Sequence, residues 1–257
     1  MGKTFAQSFL NAGIISGDQL TIFEKNEQRA AELNGQQIGT AHCEPGAYIQ
    51  DADIIILAVK PQDAGALYPV LTPYQRPEQI MLSIMAGIKI ADIRKHTGAA
   101  KIVRAMPNLP CQVGQGATAF KVSKEISPEE SAFIRSLLAT TGLAIEIDDE
   151  NKIDGVTAIS GSGPAYVFYF MEAMIQAGVQ LGFSREDATQ LTVQTFAGSI
   201  ELFKANSISC NEWIQRVASK GGTTEAALEI FNQFDVKNHI GKGVLRAETR
   251  SKELSAS

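Results

Sequence analysis

Little in this sequence is suited to metal or disulfide chemistry. Its 257 residues include three cysteines and three histidines. Cys43, Cys111 and Cys210 are isolated and odd in number. They predict no disulfide framework and no zinc site, and they fit a reducing compartment. His42, His96 and His239 are scattered without metal-ligand spacing, so they are expected at the surface and no metal is expected. No apolar run reaches membrane-spanning length, and the N-terminus lacks a charged-then-apolar signal pattern. The expectation is a cytoplasmic protein with no membrane contact. There is no block of like charge, and the net charge of −5 argues against a nucleic-acid partner. Internal repeats and low-complexity stretches are also missing.

What is present is a hydrophobic fraction of 44%, enough for a folded core, in a length that fits one large domain or two modest ones. In the first half, apolar runs alternate with helical patterns. Phe5, Phe9 and Leu10 share a helical face that Gly13 or Gly17 can close. Leu20–Phe23 reads as a short buried strand and Glu27–Leu33 as a helix. The continuous apolar run Asp53–Val59 has the pattern of a parallel strand covered on both faces. Further strands are expected at Ile80–Ile84, Lys101–Val103, Ala117–Val122 and Leu143–Ile147. Ser127-Pro-Glu-Glu130 predicts a helix start, with an N-cap, a proline in the first turn and a capping-box glutamate. The fold class is therefore α/β: a Rossmann-type parallel sheet over residues 1–150, followed by an all-helical domain over 151–257.

In such a sheet, ligands bind at the carboxyl ends of the strands. Three loops occupy those places: Glu24–Asn26, Ala58–Gln62 and Met85–Gly87. A dinucleotide fits them. Glu24 lies about twenty residues beyond Gly2, where an acid binds the ribose 2′-hydroxyl of NAD. Lys25 favours a 2′-phosphate, so NAD and NADP both stay open. The same pair also reads as the start of a solvated helix. Of the usual Gly-x-Gly-x-x-Gly turn only Gly2 is present, as its last glycine, and the strand ahead of it is absent. Either the start given is too late, or the product has no such strand, in which case two strands keep an unpaired edge and the pyrophosphate cradle is weakened.

The second half reads as helix. Ser160-Gly-Ser-Gly-Pro-Ala-Tyr166 is the turning point, with Pro164 suited to a first helical turn. From Tyr166 to Leu181 the chain is apolar nearly all round, so it needs cover on every side, and a second copy of the chain is the expected source. Ser184 and Ser209 begin two further helices, the first running to Lys204 with Leu191, Phe196, Ile200 and Phe203 on its apolar face. A last helix from Asp235 carries Ile240, Val244 and Leu245 inward. Between them lies Ser219-Lys-Gly-Gly-Thr-Thr-Glu225. Its glycines and threonines at a helix start converge free backbone N–H groups, which suit a carboxylate, although the same pattern serves plain capping. Strong acids, bases and nucleophiles are scarce, and Ser160-Gly-Ser162 is not a nucleophile elbow. Hydride transfer from a nicotinamide fits, because the cofactor carries the chemistry.

Five phrases together resemble one family: Ala58-Val-Lys-Pro-Gln62, Ser83-Ile-Met-Ala-Gly87, Arg104-Ala-Met-Pro-Asn108, Ser160-Gly-Ser-Gly-Pro-Ala-Tyr166 and Ser219-Lys-Gly-Gly-Thr-Thr224. Their order and spacing resemble pyrroline-5-carboxylate reductase. The resemblance implies reduction of 1-pyrroline-5-carboxylate to L-proline with NADPH or NADH, the last step of proline biosynthesis. It also implies a small imino-acid substrate and intertwined homodimers, with assembly into a decamer. Ala58, Val59, Lys60, Pro61, Ala86 and Gly87 would line the cofactor, with Gly2, Glu24, Lys25 and Asn26 towards its phosphates and adenosine ribose. Ser219, Gly222 and Thr223 would hold the substrate carboxylate. Thr224 would meet the ring nitrogen, as the one catalytic residue, and Glu150 would face the ring. Lys220 departs from the family's proline, and Met1-Gly2 stand at the end of its Gly-x-Gly-x-Met-Gly motif. The alternatives are a sibling imine or hydroxy-acid reductase, and a cofactor-defective subunit that only oligomerises.

Overall fold

A computed structural model of the chain describes residues 1–255. The described residues divide into two compact units, residues 1–162 together with those from 247 on, and residues 163–246. The expected division at 150/151 differs from this by the segment 151–162. That segment holds a short helix, α6 (Lys152–Val156), which packs on the sheet of the first unit.

In the first unit, α1 (Gly2–Asn11) leads to β1 (Thr21–Phe23), α2 (Glu27–Gly35) and β2 (Thr40–His42). Then come β3 (Ile54–Leu57), α3 (Ala64–Leu71), β4 (Ile80–Ser83), α4 (Ile90–Thr97) and β5 (Ile102–Met106). The sheet closes with β6 (Gly116–Val122), α5 (Pro128–Ala139) and β7 (Gly142–Glu146). The strands form two sheets: β1 with β2, and β3-β4-β5-β6-β7. Every pairing is parallel except β5 with β6. Among the described residues, β1 and β3 therefore each keep one edge without a neighbouring strand.

Apolar alternation sets the two faces of the larger sheet. Leu82, Val103 and Phe120 pack with Phe5 and Phe9 of α1 and with Ile134, Leu137 and Leu138 of α5. On the other face Leu57, Met81 and Ile102 pack with Tyr68 and Leu71 of α3 and with Ile93 of α4. Ser127 caps α5 as expected: its Oγ accepts from Glu130 N, and the Glu130 carboxylate accepts from Ser127 N at 2.9 Å. The His42 ring stacks on Tyr48 and the His96 ring on Tyr68.

The second unit holds α7 (Gly163–Gln180), α8 (Arg185–Lys204), α9 (Cys210–Val217) and α10 (Thr223–Gln233). Pro164 falls in the first turn of α7. Helices α7 and α8 approach closely at Gly178, where a β-carbon would lie 2.8 Å from Ala188 Cβ. Ser209 caps α9 with a reciprocal box to Glu212. The last helix, α11 (Val236–Ser255), contributes its residues from 247 on to the first unit. The inward placement expected of Ile240 and Leu245 does not hold within the chain, since both are exposed. Leu191, Ile200 and Phe203 are exposed in the same way. Periodicity identifies an apolar face but not what covers it. No helix among the described residues is long and apolar enough to cross a membrane.

Candidate active site

In the first unit, the three sequence-predicted loops follow the carboxyl ends of β1, β3 and β4. Glu24 follows β1, and its carboxylate accepts from Asn26 N at 3.0 Å. Asn26 in turn caps α2, accepting from Arg29 N at 2.9 Å. Lys25 reaches Asp63, just past the Ala58–Gln62 loop, at 4.0 Å. Both side chains are well exposed, so this pair adds little stability. What it shows is that the two loops are neighbours.

Gly2 opens α1 beside Ala58. A β-carbon on Gly2 would lie 3.0 Å from Ala58 Cβ, so the absence of a side chain permits the contact. The first backbone bond of α1 runs from Phe5 N to Met1 O. The amides of Gly2, Lys3 and Thr4 therefore stay free, and the first turn carries no acid. This arrangement fits a pyrophosphate. Beyond β3, Val59 and Lys60 are exposed and Pro61 begins a short 3-10 turn. Beyond β4, the chain turns at Ala86 and Gly87, and Gly87 takes the left-handed φ of 78° that favours glycine.

Glu150 is engaged at the base of this last turn. Its Oε1 accepts from Ile90 N at 2.8 Å and from Arg104 Nη1 at 3.0 Å. The Arg104 side chain is only 2% exposed, and its Nε and Nη2 have no partner among the described residues. Sequence reading placed Glu150 towards the substrate ring and did not find this pair. A carboxylate and an arginine 46 positions apart form no local pattern. One carboxamide links two other motifs. Asn108 Oδ1 accepts from Ala117 N at 2.9 Å, while Asn108 Nδ2 donates to Ser160 Oγ at 3.2 Å. Ser160 lies in a π-helical turn, Thr157–Gly161, marked by the bond from Ser162 N to Thr157 O.

In the second unit, Ser219, Gly222, Thr223 and Thr224 are together at the start of α10. Gly221 adopts φ 72° and Gly222 is the N-cap. Gly222 N donates to Ser219 O at 3.0 Å, so that amide is already engaged. A β-carbon on Gly222 would come within 2.6 Å of Ser219 Oγ. The lack of a side chain there is what lets the Ser219 hydroxyl lie over the helix start. The amides of Thr223 and Thr224, at the first two helical positions, have no partner within the helix. The Glu225 carboxylate, missed in the sequence reading, accepts from Gly221 N at 2.6 Å. A carboxylate is thus already held by one amide of this loop. A capping-box acid would reach the N-cap amide of Gly222; Glu225, at the third helical position, reaches one residue further back, to Gly221. No cluster of His, Cys, Asp and Glu able to hold a metal is present among the described residues.

The parallel sheet, the amides at the start of α1 and the acid after β1 define an NAD(P)-dependent oxidoreductase of the Rossmann type. A model described as NADP oxidoreductase, coenzyme F420-dependent, matches residues 1–87. One for pyrroline-5-carboxylate reductase dimerisation matches residues 150–254. The pyrroline-5-carboxylate reductase of Pseudomonas aeruginosa is 40% identical over 208 residues, 80% of this chain and 76% of that protein. The enzyme of Aquifex aeolicus is 33% identical over 99% of this chain and 94% of its own length. Plasmodium falciparum pyrroline carboxylate reductase with NADP bound superposes with a TM-score of 0.89 at 30% identity, covering 99% of this chain and 94% of that one. The chain belongs to the pyrroline-5-carboxylate reductase family, oxidoreductases that use NAD(P) and act on a C–N bond.

Proposed function

We propose that this chain reduces 1-pyrroline-5-carboxylate to L-proline with NADPH or NADH, and that residues 219–224 bind the substrate. The substrate is a small cyclic imine bearing a carboxylate. Adding a hydride to the imine carbon and a proton to nitrogen gives the amine. When bound, the nicotinamide supplies the hydride. The protein's task is chiefly to position and desolvate.

The observation that carries this reading is the start of α10. There the Ser219 hydroxyl and the amides of Thr223 and Thr224 offer donors to a carboxylate without a buried lysine. The Thr224 hydroxyl orients the ring nitrogen and passes it a proton from water. Gly2, Glu24, Lys25 and Asn26 hold the phosphates and adenosine ribose, and Ala58–Pro61 with Ala86 and Gly87 line the nicotinamide side. Glu150 acts from its bond to Ile90 N, just beyond that turn. The assembly is a homodimer built through residues 163–246, which expose Phe168, Tyr169 and Leu181, and the dimers associate further into a decamer. A cytoplasmic location fits the three unpaired cysteines.

The test is steady-state reduction of the five-membered imine and of its six-membered homologue, with NADPH and NADH in turn. Thr224→Ala is expected to lower kcat/KM by about a hundredfold. An unchanged value removes Thr224 from the mechanism. Faster reduction of the six-membered ring favours a sibling reductase. Failure to bind either dinucleotide favours a subunit that only oligomerises.

A further inference from the structure

Asp154 is a buried acid with no part in the mechanism above. It sits in α6, four positions after Glu150, and is only 5% exposed. A buried carboxylate is costly unless its oxygens are satisfied. Here the partners come from the far end of the sequence. Ser251 Oγ donates to Asp154 Oδ1 at 2.6 Å, and Ser255 Oγ approaches the same oxygen at 3.4 Å. Ser251 is itself buried, at 7% exposure. These contacts fix the last turns of α11 against α6, within the first unit.

The same turns lie beside Gly87. A β-carbon built on Gly87 would be 3.6 Å from Ser255 Oγ and 3.7 Å from the Leu254 carbonyl oxygen, which is ordinary contact distance. The segment from Gly87 to Ile90 is therefore held from two directions. Glu150 takes the amide of Ile90, and the tail of α11 lies over Gly87. Both restraints originate near α6, one at each end of a four-residue interval.

We infer that the Asp154–Ser251 bond is a latch that keeps the C-terminal turn on Gly87 and so positions the Met85–Gly87 turn for the dinucleotide. Asp154 and Ser251 are positioning residues that touch neither substrate nor reacting atoms. The inference rests on the reading of that turn as the nicotinamide side of the site. An aspartate supplies acceptors, and an asparagine in the same rotamer keeps one. Asp154→Asn should then preserve the latch, while Ser251→Ala and Asp154→Ala should open it.

The experiment uses the full chain with three readouts: titration of NADPH and NADH binding, amide hydrogen exchange over residues 84–90, and the separate kcat and KM for the dinucleotide. Ser251→Ala is expected to weaken dinucleotide binding about tenfold, the equivalent of one buried hydrogen bond to a charged group. It should raise the dinucleotide KM by a similar factor, leave kcat within about twofold and speed exchange at 86–90. Asp154→Asn should behave like the parent. Unchanged binding in Ser251→Ala, with the parent binding normally, overturns the latch and leaves the proposed activity standing. Equal losses in Asp154→Asn and Asp154→Ala, without faster exchange at 86–90, also overturn it, because charge rather than the bond would then matter. A parent chain that binds neither dinucleotide overturns the reading of the turn and this inference with it.

Discussion

The two units solve the burial problem differently. In the first, the unit's own helices cover most of both faces of the five-stranded sheet and enclose Leu57, Met81, Leu82, Ile93, Phe120 and Ile134, while Leu143 and Ile145 of β7 stay exposed. In the second, Ile175, Ala188 and Thr192 are the only buried side chains among the described residues. Tyr169 and Leu181 there are 77% and 78% exposed. An apolar surface of that extent marks a contact surface between proteins. The difference teaches that stability in residues 1–162 is chiefly a property of one chain. In residues 163–246 it depends on assembly, and so on concentration.

The comparison can be broken outright in the second unit. Ile200→Glu, on the exposed face of α8, is expected to shift the protein to monomers and abolish most activity, read by light scattering and turnover. A variant that stays assembled and active would locate the contact elsewhere. Next in size is Gly222→Ala. The new β-carbon displaces Ser219, so kcat/KM for the imine should fall about a hundredfold while the melting temperature barely moves. In the first unit the corresponding blow is to stability. Glu150→Ala leaves Arg104 buried without a counter-ion and should cost about 3–5 kcal/mol. The cost should be independent of protein concentration in denaturant titrations. A concentration-dependent loss would mean that the first unit also relies on its partner.

Two smaller effects sharpen the picture. Lys25→Ala should reduce affinity for NADPH a few-fold relative to NADH, by about 1 kcal/mol for one exposed charge pair. An unchanged ratio assigns recognition to Glu24. The smallest effect concerns acid. Hydrogen bonding from the Arg94 guanidinium brings the Glu125 carboxyl down from 4.5 to about 2. A depressed carboxyl stabilises the fold fully above its ordinary value, and that contribution is lost as pH falls towards about 2. The parent should therefore melt above Glu125→Gln at neutral pH, and the gap should close in acid.

The apolar runs placed β3, β4 and β7 to within a residue or two, and Ser127 and Ser209 marked their helices, because those signals are local. β2 was not legible, since Thr40-Ala-His42 is short and lacks an apolar run. Nor was the antiparallel course of β6, because a period-two pattern carries no direction. The loops of the candidate site are visible as motifs, but the role of Glu225 in holding the Gly221 amide is not. The pairs that hold those loops, Glu150 with Arg104 and Asp154 with Ser251, join positions 46 and 97 apart. Only the fold brings them together; Asp154 and Ser251 each read as an ordinary surface group, and nothing in the Arg104 motif or in Glu150 names the other as its partner.

The Asn108 carboxamide makes a two-sided demand on its position. It must accept from the Ala117 amide and also donate to the Ser160 hydroxyl, so three stretches of chain share one planar group. Asn108→Asp keeps the first role and loses the second. It can hold all three only if the serine turns its own proton inward, away from the Ala117 carbonyl that lies 3.4 Å from it. One atom exchanged for another of nearly equal size would then reset the polarity of the whole junction between the strand pair and the π-helical turn.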